Sequence, residues 1–349
     1  MDRVEEATEG EQTLPPSTTP SFSIRLTGFT DEEFANRLGN VIGGLVHVLG
    51  RSLNLTTLDG LTVAIEYDQA LIDLDRGYET SHRLTATKSH VIGVAMTPSV
   101  IRDGSLKSHI VLNASFIVSL LDEQDSEARN QAIHIIAHEC AHVDVTQAYD
   151  RCFPNLLLRQ AIGGTLDQCR WQVIFAVWDE YAVTSMTGDI GANQTDAYEE
   201  AFLNDLATFD DRVNGLIRAY RLHANVDQVL CEVYGTCGNL LKFAAYHLGN
   251  LRGFDRDWRS CERTSAALET HWFALYLDRL SECCQEIQND YGGWESQDSF
   301  MVITEITEAL VERAGLFIEE LPDGALWVNI PYTPATEPDL SDDALALNN

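Results

Sequence analysis

The chain has 349 residues, 45% hydrophobic and 22% charged, the balance of a globular protein long enough to bury a sizeable core. Its 54 acidic residues outnumber 23 basic ones, for a formal net charge of −31. A surface this acidic repels phosphate backbones and anionic headgroups, so nucleic acid and membrane surfaces are not expected partners.

Residues 1–20 are polar, acidic and rich in Pro and Thr, and read as disordered. Their opening, MDRVEEATEG, lacks the apolar region of a signal peptide, and no later run reaches the roughly 18 apolar residues of a spanning helix. A cytoplasmic protein is expected; none of its eight cysteines forms a C-x-x-C pair of the zinc-ribbon or thioredoxin type, and in a reducing compartment most read as small buried hydrophobes. SFSIRLTGF alternates as a short strand. A helix follows over TDEEFANRLGNVIGGLVHVLGRSL, opened by Thr30 and Glu33 in capping-box spacing. LTVAIEYD, HVIGVAMT and SHIVLNAS read as three more strands, with turn chemistry at Asp103-Gly104 between the last two. A short helix is predicted over about 114–121.

From about residue 125 the pattern turns helical. Helices are predicted over about 126–148, 165–186, 194–222, 226–249, 262–289 and 300–317. Thr165 and Gln168 have capping-box spacing, and Gly188 reads as a stop. DQVLCEVYGTCGNLLKFAAYHLGNL reads as a buried helix pair. ALWVNIPY closes the ordered part as a strand, and the tail from 332 to 349 reads as disordered. The fold class is α+β: a core over 21–190 with a small mixed sheet and a central helix, then a helical subdomain over 191–331 that completes a cleft.

The chemistry lies in HIIAHECAHVDV. HECAH is an H-E-x-x-H motif formed by His138, Glu139 and His142. Histidines at i and i+4 share one helix face with Cβ atoms about 6 Å apart, so both imidazoles reach one zinc at about 2.1 Å. Glu139 projects about 100° round from His138 and reaches a water without ligating the metal. The surrounding helix is apolar nearly all round, and buried polar side chains there need partners, which one zinc ion supplies together. His134 stands eight residues from His142, about 12 Å along the axis, too far to share the same ion on a straight helix. It reads as a core residue or an outer partner. Asp144 reads as a carboxylate supporting the site or as a solvated helix residue.

A third ligand must come from another element. Glu180, 38 residues after His142, lies in VIFAVWDEYAVTSMTG with apolar neighbours at Ala176, Val177 and Val183. Asp179 competes with it, and burial alone does not separate the two. The longer glutamate crosses a helix–helix gap of about 8–10 Å more easily, which favours Glu180. Tyr181, Tyr246, His247 and His271 have the chemistry to stabilise an oxyanion, but spacing does not select among them.

HECAH followed by WDEYAV on a second helix resembles the gluzincin branch of the zincin zinc metallopeptidases, with a weaker likeness to ImmA/IrrE-type intracellular proteases. The likeness covers roughly residues 90–190, with Asp179 where many gluzincins carry asparagine. It implies a zincin-like fold, one zinc ion held by His138, His142 and Glu180, and Glu139 as the base that activates water for peptide-bond hydrolysis. It also implies an edge strand that pairs with an extended protein or peptide substrate. Two other readings stay open: a regulatory or binding protein that keeps the scaffold without turnover, and a helical module in which HECAH is accidental.

Overall fold

A computed structural model describes residues 15–86, 93–322 and 325–337. The first layer is a small mixed sheet. β1 (Ser23–Thr27) runs parallel to β2 (Leu58–Ala64), and β2 runs parallel to β5 (Ser105–Asn113). β3 (Ala95–Met96) and β4 (Ser99–Arg102) both pair antiparallel with β5 along its other side. The crossover from β1 to β2 is α1 (Glu32–Leu49), which buries Leu38, Ile42, Val46 and Leu49 beneath the sheet. Asp31, not Thr30, caps this helix, its side chain accepting from the Phe34 amide.

The β4–β5 hairpin turns at Asp103-Gly104, whose φ values of 50° and 74° are those of a two-residue primed turn. β4 was not foreseen, because SVIR is too short to show a period. Of the strand predicted over HVIGVAMT, residues 90–92 lie outside the described residues and only β3 is formed. A short helix of about two turns, α2 (Tyr67–Asp73), covers one face of the sheet, and α3 (Ala114–Ile117) continues into a 3₁₀ turn to Leu121.

Beneath the sheet lies α4 (Ser126–Cys152), capped by Asp125 and buried over most of its surface, with Ile136, Ala137, Cys140, Ala141 and Val143 fully enclosed. α5 (Thr165–Thr187) packs against it. The expected capping box at Thr165 is absent: Gly164 occupies the cap position and no side chain bonds the first turn. α6 (Thr195–His223) and α7 (Val226–Gly253) form an antiparallel pair, with Ala224 in the left-handed conformation between them.

α7 is one uninterrupted helix, not the helix pair read from DQVLCEVYGTCGNLLKFAAYHLGNL. Its glycines act as close contacts instead of breaks. A Cβ at Gly238 would collide with Val173, and one at Gly249 with the Tyr181 carbonyl and the Thr184 hydroxyl. These positions let the α5 and α7 backbones approach closely.

The helix predicted over 262–289 is split into α8 (Glu262–Leu268) and α9 (Ala274–Asn289). No proline or glycine breaks it. The chain turns there to bury Phe273 fully, and His271 accepts the Phe273 amide through Nδ1. α10 (Asp298–Arg313) and the hairpin β6 (Phe317–Glu320) and β7 (Leu326–Asn329) end the fold. β6 was missed; its mixed sequence FIEE carries no alternation. One hydrophobic core runs from Leu38 to Ile330.

Residues 15–20 and 332–337 are more ordered than their composition suggests. The Thr18 amide and hydroxyl bond the carbonyls of Gly50 and Leu53, so residues 15–20 are pinned to the end of α1; residues 1–14 lie outside the described residues. Thr336 is buried, and Arg218 donates to the Ala335 carbonyl. The tail is thus anchored as far as residue 337, and the rest of it lies outside the described residues.

Candidate metal centre

α4 presents His138, Glu139 and His142 to a cleft of about 400 Å³ bounded by β3, α4, α5, α6 and α7. Helical spacing brings the two imidazoles together as expected: His138 Nε2 lies 3.2 Å from His142 Nε2. α5 crosses beside them and delivers both candidate carboxylates, each to a different place. Glu180 Oε2 lies 3.5 Å from His138 Nε2 and 3.9 Å from His142 Nε2. Asp179 Oδ2 lies behind the ring instead, 2.8 Å from His142 Nδ1.

This geometry bears on metal binding. Three donors each about 2.1 Å from one tetrahedral zinc stand about 3.4 Å from one another. The separations among His138, His142 and Glu180 are 3.2, 3.5 and 3.9 Å. Glu180 Oε2 is buried and has no hydrogen-bond donor, a costly arrangement for a carboxylate oxygen unless a cation faces it. The donor set of two imidazoles and a carboxylate, with a fourth direction open to the cleft, fits a catalytic type of zinc site.

The electrostatics agree with that demand for positive charge. Burial would raise the Glu180 pKa, but the nearby His138 and His142 rings hold it down at about 2. Burial would likewise lower the His142 pKa. The Asp179 charge and hydrogen bond, aided by Glu180 and Glu139, outweigh burial and raise it to about 10. Without a metal ion the space between the two Nε2 atoms therefore attracts a proton.

Glu139 also lies within 4.8 Å of the histidine ligand atoms. Its Oε2 is occupied differently: the Thr97 hydroxyl, just past β3, donates to it at 2.6 Å and lies 3.1 Å from the Glu139 carbonyl. Thr97 ties the sheet edge to the base position on α4. The sequence carried no sign of this, because a threonine at a strand end is ordinary.

His134 is buried, as its setting suggested, and lines the inner end of the cleft. Its Nδ1 faces the Ile190 carbonyl at 3.1 Å and its Nε2 the Tyr198 hydroxyl at 3.2 Å. Burial, followed by the nearby His138, lowers its pKa to about 4, so it is neutral. Tyr198 stacks on Tyr246 with ring centres 5.1 Å apart, and Tyr246 lies parallel to His138 at 6.2 Å. The Tyr246 phenol reaches the Glu180 carboxylate. Tyr198 was missed, since an aromatic in an amphipathic helix reads as core.

The other oxyanion candidates fall outside the cleft. Tyr181, on α5, is buried outside the cleft lining, and His271 turns toward Trp272. His247 is fully buried in a second cluster with Glu199 and Cys261. There the Thr264 hydroxyl donates to Glu199 at 2.7 Å and lies 3.1 Å from His247 Nε2. Arg263 stands 3.9 Å from Glu199, and Arg256 3.6 Å from the Cys261 sulfur. Two guanidiniums already oppose the charge, so this cluster is a poor place for a cation.

Asp144 follows neither reading made of it. It is buried away from the histidines and accepts from the Asn54 amide at 2.7 Å and the Tyr291 hydroxyl at 3.0 Å. It joins α4 to the loop after α1 and to the end of α9.

Compared with known proteins, the chain matches no family model, no curated protein and no solved structure. Among the described residues, no helix is long and apolar enough to cross a membrane.

Proposed function

We propose that this protein is a zinc-dependent peptidase with a zincin-like arrangement of sheet edge and active-site helix. One observation carries the reading: His138, His142 and Glu180, from two helices, converge at separations of 3.2–3.9 Å around a buried carboxylate oxygen that lacks a donor. Zinc held there supplies Lewis-acid chemistry to the attacking water and the scissile carbonyl.

The remaining work falls to the side chains. Asp179 keeps the proton on His142 Nδ1, which leaves Nε2 as the donor. Glu139 accepts a proton from the attacking water and returns it to the departing amine. Thr97 holds Oε2 of Glu139, which fixes the direction of that transfer. Tyr246 orients Glu180. Gly93, Val94 and β3 line the cleft, and β3 is the outermost strand beside β5 among the described residues. Among the described residues no strand pairs with the outer side of β3, which leaves an edge for an extended peptide.

The test is metal analysis of purified protein together with a peptide-hydrolysis assay. Stoichiometric zinc is expected in the native protein. Glu139→Gln should keep its zinc and lose at least about a hundredfold in kcat, the usual scale of a general base. Native protein without zinc would sink the reading, and full activity in Glu139→Gln would remove Glu139 from its role.

A further inference from the structure

Lys242 is one of three lysines in a chain with 54 acidic residues. It projects from α7, half-buried, into the cleft that holds His138, Glu139 and Glu180, and it is the only lysine or arginine among the described residues lining that cleft. In so acidic a protein a half-buried cation readily finds a carboxylate. Arg170 and Arg212 each do so, at 2.7 and 2.6 Å.

Lys242 does not. The three cleft carboxylates face other groups: Asp179 bonds His142, Glu180 faces the paired Nε2 atoms, and Glu139 bonds Thr97. Among the described residues Lys242 has no ion pair, and its charge meets only the ring of neighbouring Phe243, 5.1 Å from Nζ. An ammonium kept unpaired in a concave, partly desolvated site attracts an anion from outside.

Its position sets where that anion lies. Lys242 stands one helical turn before Tyr246 on the same face of α7, about 6 Å along the axis. Tyr246 reaches Glu180. An extended peptide advances about 3.3 Å per residue, so an anion at Lys242 belongs to a residue about two positions from the bond at the metal centre.

We propose that Lys242 binds a carboxylate of the peptide substrate, carried by an acidic side chain or by the chain terminus, within about two residues of the cleaved bond. This rests on the peptidase reading above. It gives the site a preference for anionic peptides over neutral ones.

The test uses zinc-loaded full-length protein and a set of quenched fluorogenic peptides. The peptides carry Glu or Gln at each position near the cleaved bond, each with a free or an amidated C-terminus. The native protein should favour one anionic form over its neutral partner by about tenfold in kcat/KM. A preference between Glu and Gln assigns the side chain; a preference between free and amidated ends assigns the terminus. The ratio should fall to about one in Lys242→Met and below one in Lys242→Glu. A ratio near one in the native protein, or one that persists in Lys242→Met, overturns the proposal. Cleavage of no peptide counts against the peptidase reading instead. In that event fluorescence anisotropy with the same peptides decides: equal affinity for Glu and Gln forms, and for free and amidated ends, overturns the role of Lys242.

Discussion

Asp179 Oδ2 accepts a hydrogen bond from His142 Nδ1 at 2.8 Å, and that contact determines which nitrogen of His142 faces the cleft. A neutral imidazole carries one proton, so fixing it on Nδ1 leaves Nε2 as a lone pair beside His138 and Glu180. Two adjacent residues on α5 thereby take complementary positions, Asp179 behind the ring and Glu180 in front of it.

Replacing Asp179 with Asn removes the charge behind the ring. Zinc affinity should fall by about tenfold or more, the usual effect of losing an outer partner. Glu180→Gln should lower it further, because a facing oxygen loses its charge. Competition against a chromophoric chelator measures both. An Asp179→Asn protein that binds zinc as tightly as the native one would contradict the assignment.

Thr97→Val keeps the shape of the side chain and deletes the 2.6 Å bond to Glu139. Zinc content should stay stoichiometric while kcat drops on the order of tenfold, since a loosely held base spends less time in line. A change in metal content with unaltered kcat would place Thr97 in the scaffold alone.

Metal binding should release a proton. The His142 pKa is raised to about 10, with Asp179 the strongest influence opposing burial. At neutral pH the metal-free ring is therefore protonated on both nitrogens, and a metal ion must displace the proton on Nε2. Apparent zinc affinity should rise as pH rises toward 10, by up to about tenfold per unit, and level off above it. Calorimetry in buffers of different ionisation enthalpy counts the protons; about one is expected at pH 7, and none would place His142 in its neutral form.

Gly249→Ala tests how α5 is held against α7. The added methyl meets the Tyr181 carbonyl and the Thr184 hydroxyl on α5. Backbone cannot yield as a side chain does, so a loss of about 2–3 kcal/mol in urea unfolding is expected. Because Tyr181 adjoins Glu180, zinc affinity should fall with it. Native stability in this variant would mean that α5 and α7 separate at little cost.

Much of the local structure was legible. The H-E-x-x-H spacing placed His138 and His142 on one face of a helix, because i, i+4 geometry needs no tertiary information. The Asp103-Gly104 turn followed from residues that tolerate positive φ, although the β4 strand before it did not. The break between α8 and α9 was not legible, because the burial of Phe273 directs it and no local residue does. The order of residues 15–20 and 332–337 was hidden for the same reason: Thr18 and the Ala335 carbonyl are held by partners distant in the chain.

The sequence by itself determined the helix that carries two histidines and a glutamate, and narrowed the third donor to two neighbouring carboxylates. Only the tertiary structure separated Glu180 from Asp179, brought Thr97 to Glu139, and set Lys242 in the cleft with no ion pair among the described residues. Residues one apart on a helix differ by about 100° in direction. Which of them faces the histidines depends on the rotation of α5 against α4 and α7, and side chains packed at glycines such as Gly249 set that rotation.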